Sequence, residues 1–326
     1  MHHQYLFLTG ATGSIGRAFL AYRMQQNPET PLLALSRDEQ KILDLQQRYP
    51  RKRYPHLYFE LGDIRDAGRI RQLLAQYPCH EIVHAAALKH VPLAEHYPGE
   101  YIQTNIIGTQ NLLEAAVQNA VQRITFISTD KAFLAAGVYA ATKRCAEQLL
   151  IAHARRSAMP AVGILRPGNL VHARGSVFEQ FNKSGHALTI THPEASRFFL
   201  SEAQLLQAID YVRERTIEGE IVIPKMQAVR IADLGSWLKP GVPQQVAGLR
   251  PGEKIHELLF DESLHGRIAE NRRYYILFPE APSIEALQRH DAQLLETPKA
   301  CSSADHLLPS LQAFNDYLGQ PCQIKQ

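Results

Sequence analysis

Cysteine and tryptophan are scarce in this chain of 326 residues, with four copies and one copy. Cys79, Cys145, Cys301 and Cys322 form no CxxC pair. That argues against a disulfide framework or a zinc site and fits a reducing compartment. A long basic run is also missing: 35 basic residues face 32 acidic ones, for a net charge of +3. Arg51-Lys52-Arg53 is short, and between Pro50 and Pro55 it reads as an exposed loop, so no nucleic-acid partner is expected. The fifteen histidines lack ligand spacing, His2-His3 and His84 reading as terminal and core residues, and no metal is expected. Apolar runs of membrane-spanning length are absent, and Tyr5–Leu8 runs straight into glycines without the layout of a signal peptide. The expectation is a soluble, cytoplasmic protein without a membrane partner.

What the chain has in quantity is alternation. Tyr5–Thr9, Pro31–Ser36, His56–Leu61, Glu81–Ala87, Arg123–Ser128 and Ala161–Leu165 read as strands, apolar on both faces as buried parallel strands are. Between them Ile15–Gln25, Asp38–Arg48, Asp66–Gln76, Tyr101–Asn119 and Tyr139–Arg156 carry helical spacing. This rhythm predicts an α/β fold, a doubly wound parallel Rossmann sheet with ligands at the carboxyl ends of its strands. After Arg166 the rhythm fades, and only Glu220–Ile223 and a few helical stretches such as Glu202–Arg213 stand out. At this length a second, smaller substrate-binding lobe is expected. The expected division is a nucleotide-binding domain over residues 1–165 and a mainly substrate-binding lobe over 166–326, with some segments returning to the first. The tail beyond about Pro279 reads as a helix-containing cap or an oligomer contact.

Strand Tyr5–Thr9 opens into Thr9-Gly10-Ala11-Thr12-Gly13-Ser14-Ile15-Gly16, a TGxxGxxG loop that starts a helix. Glycines there allow a tight turn, backbone approach to a pyrophosphate and close helix packing, with the helix amides facing the anion. A ligand-free strand-to-helix turn uses the same residues, but the position at the start of a strand-helix-strand unit favours a dinucleotide. Ser36-Arg37 ends the second strand where an acid would hold the ribose hydroxyls of NAD. An arginine with a neighbouring hydroxyl suits a 2′-phosphate, so the expected cofactor is NADP, with Asp38 keeping NAD as the minority alternative. Asp63 and Ile64, after the third strand, are placed to meet the adenine, unless Asp63 is a helix cap, for which Asp66 competes. Ala85, Ala86 and Ala87 supply small side chains where backbone lies against a cofactor or packs tightly.

Tyr139 and Lys143, at i and i+4, share one helix face. A nearby ammonium lowers a tyrosine's pKa toward that of a useful base. Together with TGxxGxxG, this YxxxK pattern resembles the extended short-chain dehydrogenase/reductase superfamily. The blocks "LGDIRD" (Leu61–Asp66), "HAAALKHVPLAE" (His84–Glu95), "TNIIGTQNLLEAA" (Thr104–Ala116), "ISTDKA" (Ile127–Ala132), "YAATK" (Tyr139–Lys143), "RPGNLVHARGSV" (Arg166–Val177), "SRFFLS" (Ser196–Ser201) and "GLRPGEKIHELL" (Gly248–Leu259) narrow it. They resemble the short inverting UDP-N-acetylglucosamine 4,6-dehydratases, which also epimerise carbon 5.

The resemblance implies a catalytic set of Thr129, Asp130, Lys131, Tyr139 and Lys143. Tyr139 takes the proton of the carbon-4 hydroxyl, with Thr129 and Lys143 orienting the hydroxyl and the tyrosine, and Tyr139 and Lys143 also contact the NADP. Asp130 protonates the leaving hydroxyl of carbon 6, and Lys131 is the base at carbon 5. That role calls for a depressed pKa at Lys131, from burial and from Lys143. Where relatives carry an Asn-Pro-rich segment, this chain has apolar Phe133–Val138, which should reshape the wall of the sugar pocket. For the substrate, the resemblance implies Arg250 on phosphate, Glu253 on ribose, and Lys89, Asn169 and Arg197 facing the sugar nucleotide. Lys89 could instead be a loop residue, Asn169 a turn former and Arg197 an internal salt-bridge partner. The implied partners are a UDP-sugar and further copies of the chain, a homo-oligomer feeding glycan or flagellin sugar biosynthesis. The rivals are a UDP-hexose epimerase, which needs no acid-base pair at Asp130 and Lys131, and a non-catalytic NADP-binding sensor or scaffold, which has no reason to keep Tyr139 and Lys143.

Overall fold

The first-half strands are β1 (Tyr5–Thr9), β2 (Leu32–Ser36), β3 (Leu57–Leu61), β4 (Cys79–His84), β5 (Arg123–Ile127) and β6 (Ala161–Leu165). The computed structural model describes residues 4–157, 159–171 and 173–320; His2, His3 and Cys322 lie outside them. Every residue of β2 and β6 is buried, as strands covered on both faces must be. The second half adds β7 (Asn169–Leu170), β8 (Leu188–Ile190), β9 (Ser196–Leu200), β10 (Glu218–Pro224), β11 (Gln227–Arg230), β12 (Gln244–Val246), β13 (Ile268–Glu270), β14 (Tyr274–Leu277) and β15 (Gln293–Leu294).

The large sheet is ordered β15-β13-β14-β10-β6-β5-β4-β1-β2-β3. From β10 to β3 every neighbouring pair is parallel, and β13, β14 and β15 extend the sheet antiparallel. The strand order reverses at β1, and a crevice opens beyond the carboxyl ends of strands at such a point. Two smaller sheets, β11-β9-β7 and β12-β8, stand apart from it.

The helices are α1 (Ser14–Gln26), α2 (Glu39–Arg48), α3 (Ala67–Gln76), α4 (Val91–His96), α5 (Pro98–Tyr101), α6 (Gly108–Gln118), α7 (Gly137–Ala154), α8 (Val177–Lys183), α9 (Glu202–Arg215), α10 (Ile231–Leu238), α11 (Ile284–His290) and α12 (Leu311–Leu318). Asp38 caps α2 by accepting from Lys41 N, and Asp66 caps α3 by accepting from Arg69 N. Asp63 is therefore released from capping. The single helix expected over Tyr101–Asn119 is instead α5, a wide π turn at Ile102–Ile107, and α6. The wide turn carries Asn105, which is 1% exposed and bonds Leu88 N (2.9 Å), Leu88 O (3.0 Å) and the Thr142 hydroxyl (3.0 Å). Such turns concentrate at functional sites, and this one ties the loop after β4 to α7.

The main core surrounds the large sheet, while a separate cluster, including Phe178, Phe181, Phe199, Phe314 and Leu318, packs α8 and α12 under β9. The tail thus has a structural role: α12 closes the second cluster, and Ser303 N donates to Glu257 O at 2.8 Å. No helix among the described residues is long and apolar enough to cross a membrane.

Candidate active site

Gly10 turns the chain after β1 at φ +69°, and a Cβ there would lie 2.6 Å from Ala86 N. Only glycine lets the two loops meet. They border a cleft of about 930 Å³ lined by Gly10, Thr12, Gly13, Ser14, Ser36, Arg37, Asp63, Ile64, Ala85, Ala86 and Ala87. Ile15, Gly16, Tyr139 and Lys143, expected on the cofactor, do not line it: Gly16 is buried and Ile15 packs on the core. Ser36 Oγ is 2.7 Å from Thr12 Oγ1. Arg37, half exposed, reaches Asp63 at 3.6 Å, and Asp63 also accepts from Arg65 at 2.9 Å. Asp38, the alternative acid, is engaged by its cap and by the Lys41 ammonium. The sequence reading missed Arg17, Lys41 and Arg174 as lining residues; they surround the same cleft with positive charge.

Beyond β5, Ser128 N donates to Leu165 O at 2.7 Å and Asp130 N to Pro167 O at 2.9 Å. These bonds fix a short turn, Asp130–Ala132, capped by Thr129. Thr129 Oγ1 donates to Asp130 Oδ1 (3.0 Å) and hydrogen-bonds with Tyr139. Burial pushes the Tyr139 hydroxyl above its ordinary pKa, against the pull of Lys131 and of the Thr129 bond. The cation acting on Tyr139 is thus Lys131 rather than Lys143. Lys143 donates to Ile127 O at 2.7 Å and sits 3.9 Å from the Phe126 ring centre, and burial lowers its pKa to about 7.

Lys131 corrects another expectation. Burial acts to lower its pKa, but Asp130 Oδ1 at 2.9 Å and Glu257 Oε1 at 3.4 Å outweigh it, and the pKa is raised. Asp130, 1% exposed, has its carboxyl pushed up by burial, with Lys131 opposing and Glu257 reinforcing the rise.

A second cavity of about 100 Å³ is lined by Lys131 and Tyr139 together with Arg197, Arg250, Glu253 and Glu257. Two expected substrate residues fall elsewhere. Lys89 is on the large cleft, donating to Arg174 O at 2.8 Å, and Asn169 lines neither space, its amide bonding Phe198 O at 3.2 Å. Arg197 is the internal ion-pair partner, bonded to Glu253 (2.6 Å), Ser196 O and Ile255 O. Glu253 also accepts from Thr191 and from Arg250 N. The Arg250 segment is exposed. Of Phe133–Val138, Phe133 is buried and Ala136 lines the small cavity, so one residue of the segment forms its wall. Gly137, at φ +79°, would place a Cβ 2.7 Å from Gly252 Cα. The strand-end segment and the Arg250–Lys254 segment therefore touch backbone to backbone just before Tyr139. No group of residues among those described has the makings of a metal site.

The model of the family described as polysaccharide biosynthesis protein matches residues 6–278. The chain is 32% identical over 286 residues to an inverting UDP-N-acetylglucosamine 4,6-dehydratase of Campylobacter jejuni, covering 86% of this chain and 84% of the relative. It is 34% identical to a UDP-glucose 4-epimerase of Rickettsia canadensis, covering 83% and 81%. In structure it resembles Pen from Bacillus thuringiensis, with a TM-score of 0.87, 27% identity and 98% of both chains covered.

Proposed function

The chain belongs to the polysaccharide biosynthesis protein family of short-chain dehydrogenase/reductase enzymes, and on that premise we propose NADP-dependent 4,6-dehydration of UDP-N-acetylglucosamine with inversion at carbon 5. The observation that carries this is the placing of Lys131 beside Tyr139 on one small cavity, with Asp130 hydrogen-bonded behind them. An epimerase shares Tyr139 and Lys143 but needs no acid-base pair at Asp130 and Lys131. Tyr139 takes the carbon-4 hydroxyl proton, with Thr129 and Lys143 setting its position. The resulting ketone acidifies the hydrogen at carbon 5, which Lys131 removes, while Asp130, whose carboxyl is held toward the protonated form, protonates the leaving hydroxyl of carbon 6. Arg250 and Glu253 are assigned to the nucleotide. Residues 1–165 form the NADP-binding part and 166–326 the mainly substrate-binding part, from which β10 and β13–β15 return to the large sheet.

The cleft suits a dinucleotide: its glycine cradle admits backbone contact, and Ser36, Arg37 and Lys41 suit a 2′-phosphate. The nicotinamide supplies hydride acceptance from carbon 4 and hydride return to carbon 6. Arg37→Ala is expected to weaken NADP about tenfold relative to NAD, the size of one charge-assisted contact. Calorimetric titration of both cofactors checks this, and an unchanged ratio would place the phosphate elsewhere.

The reading itself is tested by NMR of UDP-N-acetylglucosamine with the protein and NADP in deuterated buffer. A 6-deoxy-4-keto sugar with deuterium at an inverted carbon 5 is the expected product. An intact carbon-6 hydroxyl with altered carbon 4 would establish the epimerase, the second reading favoured by the Rickettsia relative. Tight NADP binding without turnover would leave a sensor.

A further inference from the structure

Lys131 is required as a base, yet its ammonium stands between two carboxylates. Its surplus proton must go somewhere before carbon 5 can be attacked. Asp130 is the nearer acceptor, but it serves as the acid for the carbon-6 hydroxyl. Burial and the Glu257 charge favour its protonated form, and its Oδ1 already accepts from Thr129. Glu257 is free of that duty. It is 2% exposed, it lines the small cavity, and its Oε2 has no hydrogen-bond partner. Its backbone is held from both sides, by Glu257 N donating to Ser303 Oγ (2.9 Å) and Ser303 N donating to Glu257 O (2.8 Å). The carboxylate is therefore rigidly presented to Lys131, and nothing in the dehydratase reading has yet used it.

We propose that Glu257 is the positioning residue that accepts the surplus proton of Lys131 through its Oε1, 3.4 Å away, leaving a neutral amine to act at carbon 5. This rests on the dehydratase reading. In the transfer an N–H bond of Lys131 breaks and an O–H bond of Glu257 forms, with no change of oxidation state. The amine then takes the carbon-5 proton, the C–H electron pair forms the double bond between carbons 5 and 6, and the carbon-6 hydroxyl departs with the Asp130 proton. The other groups facing Lys131 are Arg197, whose Nε is 3.8 Å from Glu257 Oε1, Lys254 and Tyr139. Both cations act against an ammonium at Lys131, while Arg197 also pairs with the Glu257 carboxylate.

The ion pair and the neutral pair carry the same net charge. The share of neutral amine is then independent of pH between the two macroscopic titrations of the pair. Glu257→Gln keeps the shape and removes the acceptor, so the proton must leave to solvent. Three results are expected. Deuterium incorporation at carbon 5 falls about a hundredfold at neutral pH, the scale of a lost proton-transfer partner. Its rate then rises about tenfold per pH unit where the wild type is flat. Formation of reduced nicotinamide falls by about tenfold at most, since the pair reaches oxidation at carbon 4 only through the Lys131 charge beside Tyr139. Glu257→Asp, keeping a carboxylate, is expected to restore the flat profile at reduced rate. A uniform slowing in Glu257→Gln with the pH profile unaltered would reduce Glu257 to a structural role and overturn the proposal.

A second readout needs no substrate. In protein labelled with [ε-13C]lysine, the Lys131 resonance, assigned from Lys131→Arg, is expected to titrate about one unit lower or more in Glu257→Gln. An unmoved midpoint overturns the proposal whatever the enzyme's substrate. A wild type that makes no keto sugar would instead sink the dehydratase reading, and the titration would still decide the Glu257 contact.

Discussion

Tyr139→Phe is expected to slow oxidation of the sugar by about a thousandfold, within the range of a lost general base, while NADP affinity stays within about twofold. The substitution removes one oxygen and keeps the ring, so α7 and the cavity wall that the ring forms are retained. What disappears is the hydroxyl that hydrogen-bonds with Thr129 and faces Lys131. Tyr139 does not line the large cleft, so binding of the dinucleotide is expected to survive. Single-turnover absorbance of the reduced nicotinamide measures the step, and calorimetry measures the binding. A variant oxidising within tenfold of wild type would remove Tyr139 from the proton transfer.

The second large effect is on stability. Arg166, immediately after β6, is 1% exposed and donates to both carboxylate oxygens of Glu147 on α7, at 2.8 and 2.6 Å. Ser128 Oγ donates to the same carboxylate at 2.6 Å. Arg166→Ala would leave Glu147 charged and buried with only the more exposed Arg144 guanidinium, 3.2 Å away, and Ser128 as partners, which costs about 3 kcal/mol. Urea denaturation is expected to show that loss. Arg166→Met combined with Glu147→Leu is expected to recover most of it, because the buried charge is removed together with its partner. A loss below about 1 kcal/mol for the single variant would show that water reaches Glu147.

The pH dependence has a definite sign. Burial acts to raise the Glu147 pKa, but Arg166 and Ser128 hold it below the ordinary 4.5. A depressed folded value means that the stabilisation is full above about 4.5 and fades as pH falls through the lower folded value. In Arg166→Ala that acid-side loss is expected to shrink. Glu147 lies one turn beyond Lys143 on α7, so the same ion pair holds the helix that carries Tyr139 against the strand ends.

How far the sequence reached differs between the two cavities. Around the large cleft, glycine loop, strand ends and alanines fell where their pattern placed them, because a parallel strand with its following helix is a local unit whose periodicity is written in consecutive residues. The helix over Tyr101–Asn119 was legible as helix, but its π turn was not. That turn serves Asn105, whose partners Leu88 and Thr142 are remote in sequence. For Asn169 and Lys89, which lie off the small cavity, nothing nearby in the chain tells which of two neighbouring spaces a side chain will face.

By itself, then, the sequence determined the alternation of β1–β6 with their helices, the glycine cradle, and the close grouping of Thr129, Asp130, Lys131, Tyr139 and Lys143 at one strand end. The alternation, the cradle and the shared helix face of Tyr139 and Lys143 follow from short-range spacing, and the rest of the set from the family resemblance. The tertiary structure alone decided the charge state of Lys131. Its neighbours Asp130 and Glu257 are one and 126 positions away, and the second is held in place by Ser303 from the tail. Electrostatic fields at a buried group add over everything within a few ångströms, and which residues those are is settled only when distant segments pack together.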